Sequence, residues 1–135
     1  MAVYSTLAAV DLGSNSFHLQ VARVVGDQLY PLDSLREPVR IGAGLTRDKR
    51  LNEESQQNAL ECLKRFGERL RDFDRRAVRA VGTNTLRVAK NAGGFLKQAE
   101  AALGFPIEVV AGREEARLIY LGVSHSLPVS LDKRL

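Results

Sequence analysis

Residues 6–25, TLAAVDLGSNSFHLQVARVV, decide the fold. Residues 6–10 (TLAAV) form an apolar run that reads as a short buried strand ending at Asp11-Leu12-Gly13. Residues 17–25 (FHLQVARVV) alternate between apolar and polar, the period of a strand with two different faces. Gly26-Asp27-Gln28 then offers a hairpin turn, and residues 29–35 its returning strand. Pro31 lies in that return and argues for an edge position or a break, because proline has no N–H to give a neighbouring strand. The chain therefore opens as a β-meander, its first two or three strands antiparallel.

Further along, the period changes. Asn52 is placed to cap a helix, with Glu53 and Glu54 in the first turn, where the macrodipole favours negative charge. Leu60, Leu63, Phe66, Leu70 and Phe73 recur at helical spacing and make one apolar face. Cys62 lies on or beside that face and reads as core. Residues 77–81 (AVRAV) read as a strand, and Gly82-Thr83-Asn84-Thr85 as a turn with a possible cap. The pattern predicts a helix over 86–103 with a break at Gly93-Gly94, a stop at Gly104, and a further strand at 107–111 after Pro106. Residues 113–123 read as a last helix. Strands alternating with helices after a meander predict a mixed α/β sheet, its later strands parallel and covered by helices.

The composition sets the outer bounds. A chain of 135 residues with 44% hydrophobic and 27% charged residues is one ordinary globular domain. Lys+Arg 20 against Asp+Glu 16 gives a net charge of +4, which mildly favours an anionic partner. A single cysteine excludes an intramolecular disulfide framework and fits a reducing compartment. No apolar run approaches the ~18 residues that span a bilayer. The opening MAVYSTLAAVDLG lacks a basic region and reaches Asp11 too soon for a signal peptide. The expectation is a cytoplasmic domain with no membrane partner.

Three apolar strands end in small-residue turns: Asp11-Leu12-Gly13, Val81-Gly82-Thr83 and Val110-Ala111-Gly112. In open α/β sheets, ligands bind beyond the carboxyl ends of the strands. If these strands run side by side, the three turns converge on one cleft. Asp11 would be a carboxylate suited to a hydrated Mg²⁺. Gly13 permits a sharp turn, and Ser14, Asn15 and Ser16 offer hydroxyls, an amide and backbone N–H groups that can nest a phosphate. The same four residues are also ordinary hairpin-turn residues. Arg87, after the second turn, suits a phosphate but equally suits a solvated helix face. Glu114 and Glu115 open the last helix, where the macrodipole alone explains them; one of the two, facing the cleft, would serve as a general base.

The remaining motifs are weaker. Ile41-Gly42-Ala43-Gly44-Leu45 looks like half of a dinucleotide fingerprint, but Arg47 stands where the third glycine is needed. It reads as a mobile loop, with Arg36, Arg40, Arg47, Lys49 and Arg50 as a basic rim or a merely solvated one. His18 and His125 have no second ligand at zinc spacing.

Three segments, AAVDLGSNSFHLQVARV, VGTNTLRVAKNAGGFL and PIEVVAGREEARLIYLGV, together resemble the exopolyphosphatase/guanosine-pentaphosphate phosphohydrolase (Ppx/GppA) family from about residue 7 to residue 123. The resemblance implies an actin-like, ribonuclease H-like α/β domain over residues 1–124, with 125–135 as a tail leading to a second domain. It implies release of terminal phosphate from inorganic polyphosphate or guanosine pentaphosphate, with Mg²⁺. By the same resemblance Asp11 is the metal-side carboxylate, Gly13, Ser14, Asn15 and Ser16 the phosphate loop, Arg87 a phosphate contact and Glu115 the residue that activates water. Family members continue with a second phosphate loop and a second actin-like domain, so this chain is expected to hold half a site and to be nearly inactive alone. The complete enzyme is expected to be a homodimer.

Two other function classes compete. A non-catalytic module retaining polyphosphate or RNA fits the net charge, although aromatics are only 6% of residues, few for stacking bases. No specific nucleic-acid partner is therefore expected. A sugar or acetate kinase relative would share the first loop, but EEARLIYLGV argues against it.

Overall fold

A computed structural model of the chain describes residues 6–26, 28–82 and 84–109. Five strands form one mixed sheet: β1 (Thr6–Leu12), β2 (Phe17–Val25), β3 (Gln28–Glu37), β4 (Val78–Gly82) and β5 (Glu108–Val109). Their order across the sheet is β3-β2-β1-β4-β5. The first three are antiparallel, while β4 runs parallel to β1 and β5 parallel to β4. A meander followed by parallel strands added on the other side of β1 is the actin-like, ribonuclease H-like arrangement.

Alternation along β1 gives the sheet two faces. Ala8, Val10 and Leu12 pair with Val21, Leu19 and Phe17 and pack into the main core. Leu7, Ala9 and Asp11 point the other way, beside Ala22, Gln20 and His18. Pro31 sits on β3, paired with Ala22, and the register slips there: Val21 pairs with Asp33 and Ala22 with Pro31, so Leu32 is bulged. A bulge and a proline both suit a strand that pairs, among the described residues, with β2 alone.

Helix α1 (Glu53–Arg69) starts as its sequence predicts: the Asn52 side chain accepts from Ser55 N–H at 2.8 Å, and Glu53 and Glu54 occupy the first turn. It buries Ala59, Cys62, Leu63 and Phe66 over the sheet. Burial and the neighbouring Glu37 carboxylate push the Cys62 thiol up to about 12, so it stays protonated and acts as an apolar filler.

The second helical stretch differs from its prediction. It is two helices, α2 (Asn84–Val88) and α3 (Ala92–Leu103), and the break falls at residues 89–91, not at the glycines. There, Lys90 N–H donates to Lys49 O at 2.7 Å. Asn91 exchanges two hydrogen bonds with the Leu51 backbone. These partners take the chain out of the helical ladder. Gly93 and Gly94 fall in the first turn of α3, where helix N–H groups lack intrahelical acceptors anyway. Gly104 ends α3 in the left-handed region at φ +91°, its N–H on Glu100 O at 2.8 Å.

Helices α1 and α3 touch through Gly67. A Cβ there would stand 2.7 Å from Leu103 O and 2.8 Å from Ala102 O. Because those atoms are backbone, Gly67→Ala should cost about 2 kcal/mol. Gly94→Ala, with open space around it, should instead add about 0.5 kcal/mol. Urea unfolding midpoints of the two variants should move in opposite directions.

Candidate functional site

The parallel register aligns the carboxyl ends of three strands: Leu12 lies beside Gly82, and Gly82 beside Val109. The expected convergence of strand-end turns therefore holds for the first two. The third, Val110-Ala111-Gly112, lies outside the described residues, as do Glu114, Glu115 and the predicted helix at 113–123.

The first turn is tight. Gly13 N–H donates to Ser16 O at 3.1 Å, and a Cβ on Gly13 would meet that same oxygen at 3.0 Å. Gly13 thus closes the turn with its own N–H and makes room for the closure. Ser14 and Ser16 are half-buried and Asn15 is exposed at the tip. Asp11, two residues before Gly13, is half-buried on the second face of the sheet, and its Oδ1 is buried. Beside it His18 donates or accepts through Nε2 to Ser34 Oγ at 2.9 Å. Burial first, then the Arg36 charge, holds the His18 imidazole below its ordinary value, with Asp11 opposing both.

Two distant segments hold the turn in place. Ser14 Oγ lies 2.7 Å from Thr85 Oγ1, a bond spanning 71 positions of sequence. Thr85 is only 8% exposed. Ser14 O accepts from Gly42 N–H at 3.0 Å. Gly42 belongs to a 3₁₀ turn, Ile41–Gly44, whose Ile41 is fully buried. The expectation of a mobile loop at 41–45 is therefore corrected. Buried Val39 and Ile41 anchor it, and Gly44 packs so closely on the start of α1 that a Cβ would stand 1.9 Å from Ser55 Oγ. Gly42 makes a less tight approach on the other side, where a Cβ would meet Ser14 Cβ at 3.2 Å and Thr85 Oγ1 at 3.4 Å.

Arg87 is exposed on α2, two residues beyond Thr85. Successive helical residues turn about 100°, so it projects roughly 200° round from Thr85. The structure thus brings Asp11, the 13–16 turn, Gly42 and Thr85 together, and carries Arg87 exposed on the side of α2 away from Thr85. Gly42 and Thr85 were missed as site residues in the sequence. Thr85 was visible as one small residue in GTNT, and Gly42 as one half of a failed fingerprint. An open groove of about 510 Å³ lies elsewhere, between residues 37–40 and α1. It carries Glu37, Glu54, Glu61, Arg40 and Arg65, charges of both signs.

A glycine-and-hydroxyl turn at the end of the central strand, on a sheet of this order, defines an actin-like α/β domain. The chain belongs to the Ppx/GppA phosphatase family, which it matches over residues 20–133. It is similar to the crystal structure of the Aquifex aeolicus family member, with TM-score 0.76 and 28% identity over 88% of this chain and 39% of that one. The Aquifex aeolicus PPX-GPPA enzyme gives TM-score 0.76 and 30% identity over 90% of this chain and 41% of that one. An exopolyphosphatase from Cytophaga hutchinsonii gives TM-score 0.76 and 30% identity over 87% and 38%. The chain therefore spans about two fifths of the length of these relatives. No helix among the described residues is long and apolar enough to cross a membrane.

Removing the Thr85 hydroxyl leaves Ser14 without its bond to α2. Thr85→Val should lower stability by about 1–2 kcal/mol. Gly42→Ala should displace Ser14 and weaken binding of inorganic phosphate more than it lowers stability. Urea unfolding and calorimetric titration with phosphate, run on both variants, check the two effects separately.

Proposed function

We propose that this domain grips the terminal phosphate in a phosphoanhydride hydrolase acting on inorganic polyphosphate or guanosine pentaphosphate. The observation that carries the assignment is the 13–16 turn, held at the strand ends by Gly42 and Thr85. The family and the exopolyphosphatase relative support the reaction class.

The roles follow from the chemistry available. Gly13 N–H is engaged within the turn, so the phosphate oxygens fall to the amides of Ser14, Asn15 and Ser16 and to their side chains. Arg87, exposed on α2, is assigned as a charged, bidentate partner. Glu115 accepts the proton of the attacking water as the water's oxygen approaches the terminal phosphorus in line with the leaving phosphate.

No group of three or more His, Cys, Asp or Glu able to hold a metal ion occurs among the described residues. A single carboxylate nevertheless fits Mg²⁺, which is commonly held by one or two carboxylates, with substrate phosphates and water filling the rest. Asp11 would hold it. When bound, the ion supplies neutralisation of charge on the phosphate oxygens.

A loose phosphoryl-transfer transition state needs its charge held from several sides at once. The described residues form one side. The 135-residue chain alone should release phosphate from polyphosphate at a small fraction of a full-length relative's rate. In a full-length protein carrying this domain, Glu115→Gln should lower turnover by about 100-fold with binding retained. Arg87→Ala should weaken both. Phosphate-release assays and equilibrium binding measure these; near-normal turnover in Glu115→Gln would remove the base from its role.

A further inference from the structure

Glu37 is the last residue of β3, and two connections meet there. Across the sheet it pairs with Phe17, on which the 13–16 turn re-enters β2. Along the chain it starts a run of backbone bonds: Val39 N–H donates to Glu37 O at 2.8 Å, and Ile41 N–H to Val39 O at 2.9 Å. Next comes Gly42, whose N–H donates to Ser14 O at 3.0 Å. The turn, the Phe17–Glu37 pair and the 38–42 segment therefore close a ring, and Glu37 is where its two halves join. Pro38 stiffens the joint, because the residue before a proline is kept extended.

The Glu37 side chain is held from α1. Arg65 grips it with two bonds, Nε to Oε2 at 2.9 Å and Nη2 to Oε1. Such a fork fixes the direction of a carboxylate as well as its place. The thiol of buried Cys62, three residues earlier on α1, donates to the same carboxylate. Residues three apart on a helix share a face, so both partners reach Glu37 from one side. The bonds from Arg65, against the opposing effect of burial, hold Glu37 below the ordinary carboxylate range, so the pair is ionised at neutral pH. The Glu37 and Arg65 side chains are 29% and 57% exposed, at the edge of the open groove beside α1. Ion pairs this open add little to global stability. A second pair of the same kind, Arg69 with Asp33, joins the same two elements. Asp33 lies four residues back along β3, opposite Val21 and away from the turn.

We propose that Glu37 is a positioning residue for phosphate binding: clamped by Arg65, it fixes the spacing between Phe17 and Gly42, and so the direction of the Ser14, Asn15 and Ser16 amides. The proposal rests on the phosphate-gripping role given to that turn above. Glu37 touches no phosphate in this role, and its own charge repels one. Charge and position therefore act in opposite directions. By charge alone, removing the Glu37 carboxylate strengthens anion binding and removing the Arg65 guanidinium weakens it. By positioning, both changes weaken it.

The test compares Glu37→Gln, Arg65→Gln and the control Arg69→Gln in the 135-residue chain. Amide hydrogen exchange at Gly13 and Gly42 reads the order of the turn with no ligand present. Calorimetric titration with inorganic phosphate reads binding, and urea unfolding reads stability. In Glu37→Gln and Arg65→Gln, exchange at both amides should rise about tenfold relative to amides within α1. Phosphate affinity should fall about threefold or more in the same two variants, since the ligand must then order the turn. Their unfolding midpoints should stay close to wild type, and Arg69→Gln should leave exchange and affinity level. Stronger phosphate binding by Glu37→Gln overturns the proposal, and so does wild-type exchange at Gly13 and Gly42 in that variant. Equal effects of Arg65→Gln and Arg69→Gln also overturn it, as does an affinity loss that appears only with a lowered unfolding midpoint. In each of these cases the phosphate role of the turn stands, provided that the wild-type chain binds phosphate. A wild-type chain that binds none overturns that role and the proposal together.

Discussion

The molecule is organised by β1 being paired on both sides. It runs antiparallel to β2 and parallel to β4, so its backbone bonds are satisfied in two directions and its apolar residues are buried on both faces. Such a strand cannot shift register by one residue without moving Asp11 into the core and Val10 out of it. The register in turn fixes where the chain leaves the sheet, beside Gly82 and one strand from Val109. A turn at that point starts from a strand paired on both sides.

Much of this was legible in the residues. The apolar run at 6–10, the alternation at 17–25 and the Asn52 cap each carry a local physical signal, and each element formed there. Pro31 pointed to an edge, and β3 is one in the described sheet. The break in the second helical stretch was not legible, because its cause is long-range. Glycine is a local signal, but at 93 and 94 it falls where a helix tolerates it. The residues that interrupt the helix do so through partners about forty positions earlier, at Lys49 and Leu51.

The same limit explains the site. Asp11 and the 13–16 turn stand in one contiguous stretch, where a tight turn at a strand end could be read directly, while their assigned roles came from likeness to a family. Arg87 and Glu115 came from likeness to a family, since neither has a local signal that separates it from a surface charge. Gly42 and Thr85 act through their distance from Ser14, a quantity that spacing along the chain does not encode. The IGAG segment shows the cost of local reading: two glycines suggest looseness, whereas here they allow close packing, Gly42 on the turn and Gly44 on α1. Glycine marks a close approach as readily as a flexible one, and only the neighbours decide which.

That distinction bears on how the site binds. A loop that must be ordered by its ligand loses part of the binding free energy to that ordering. Here the turn is closed by Gly13 on Ser16, pinned at Ser14 by a buried threonine, and braced from below by the 3₁₀ turn on α1. Its geometry is set by the fold. Preorganised donors favour the charge that develops during phosphate transfer, because they need not reorient as it forms. An actin-like sheet supplies this rigidity without a lysine in the loop, which a P-loop would place beside the phosphate. An anion in such a turn therefore meets backbone and hydroxyl dipoles, fixed in direction before it arrives, and no charged side chain of the turn itself.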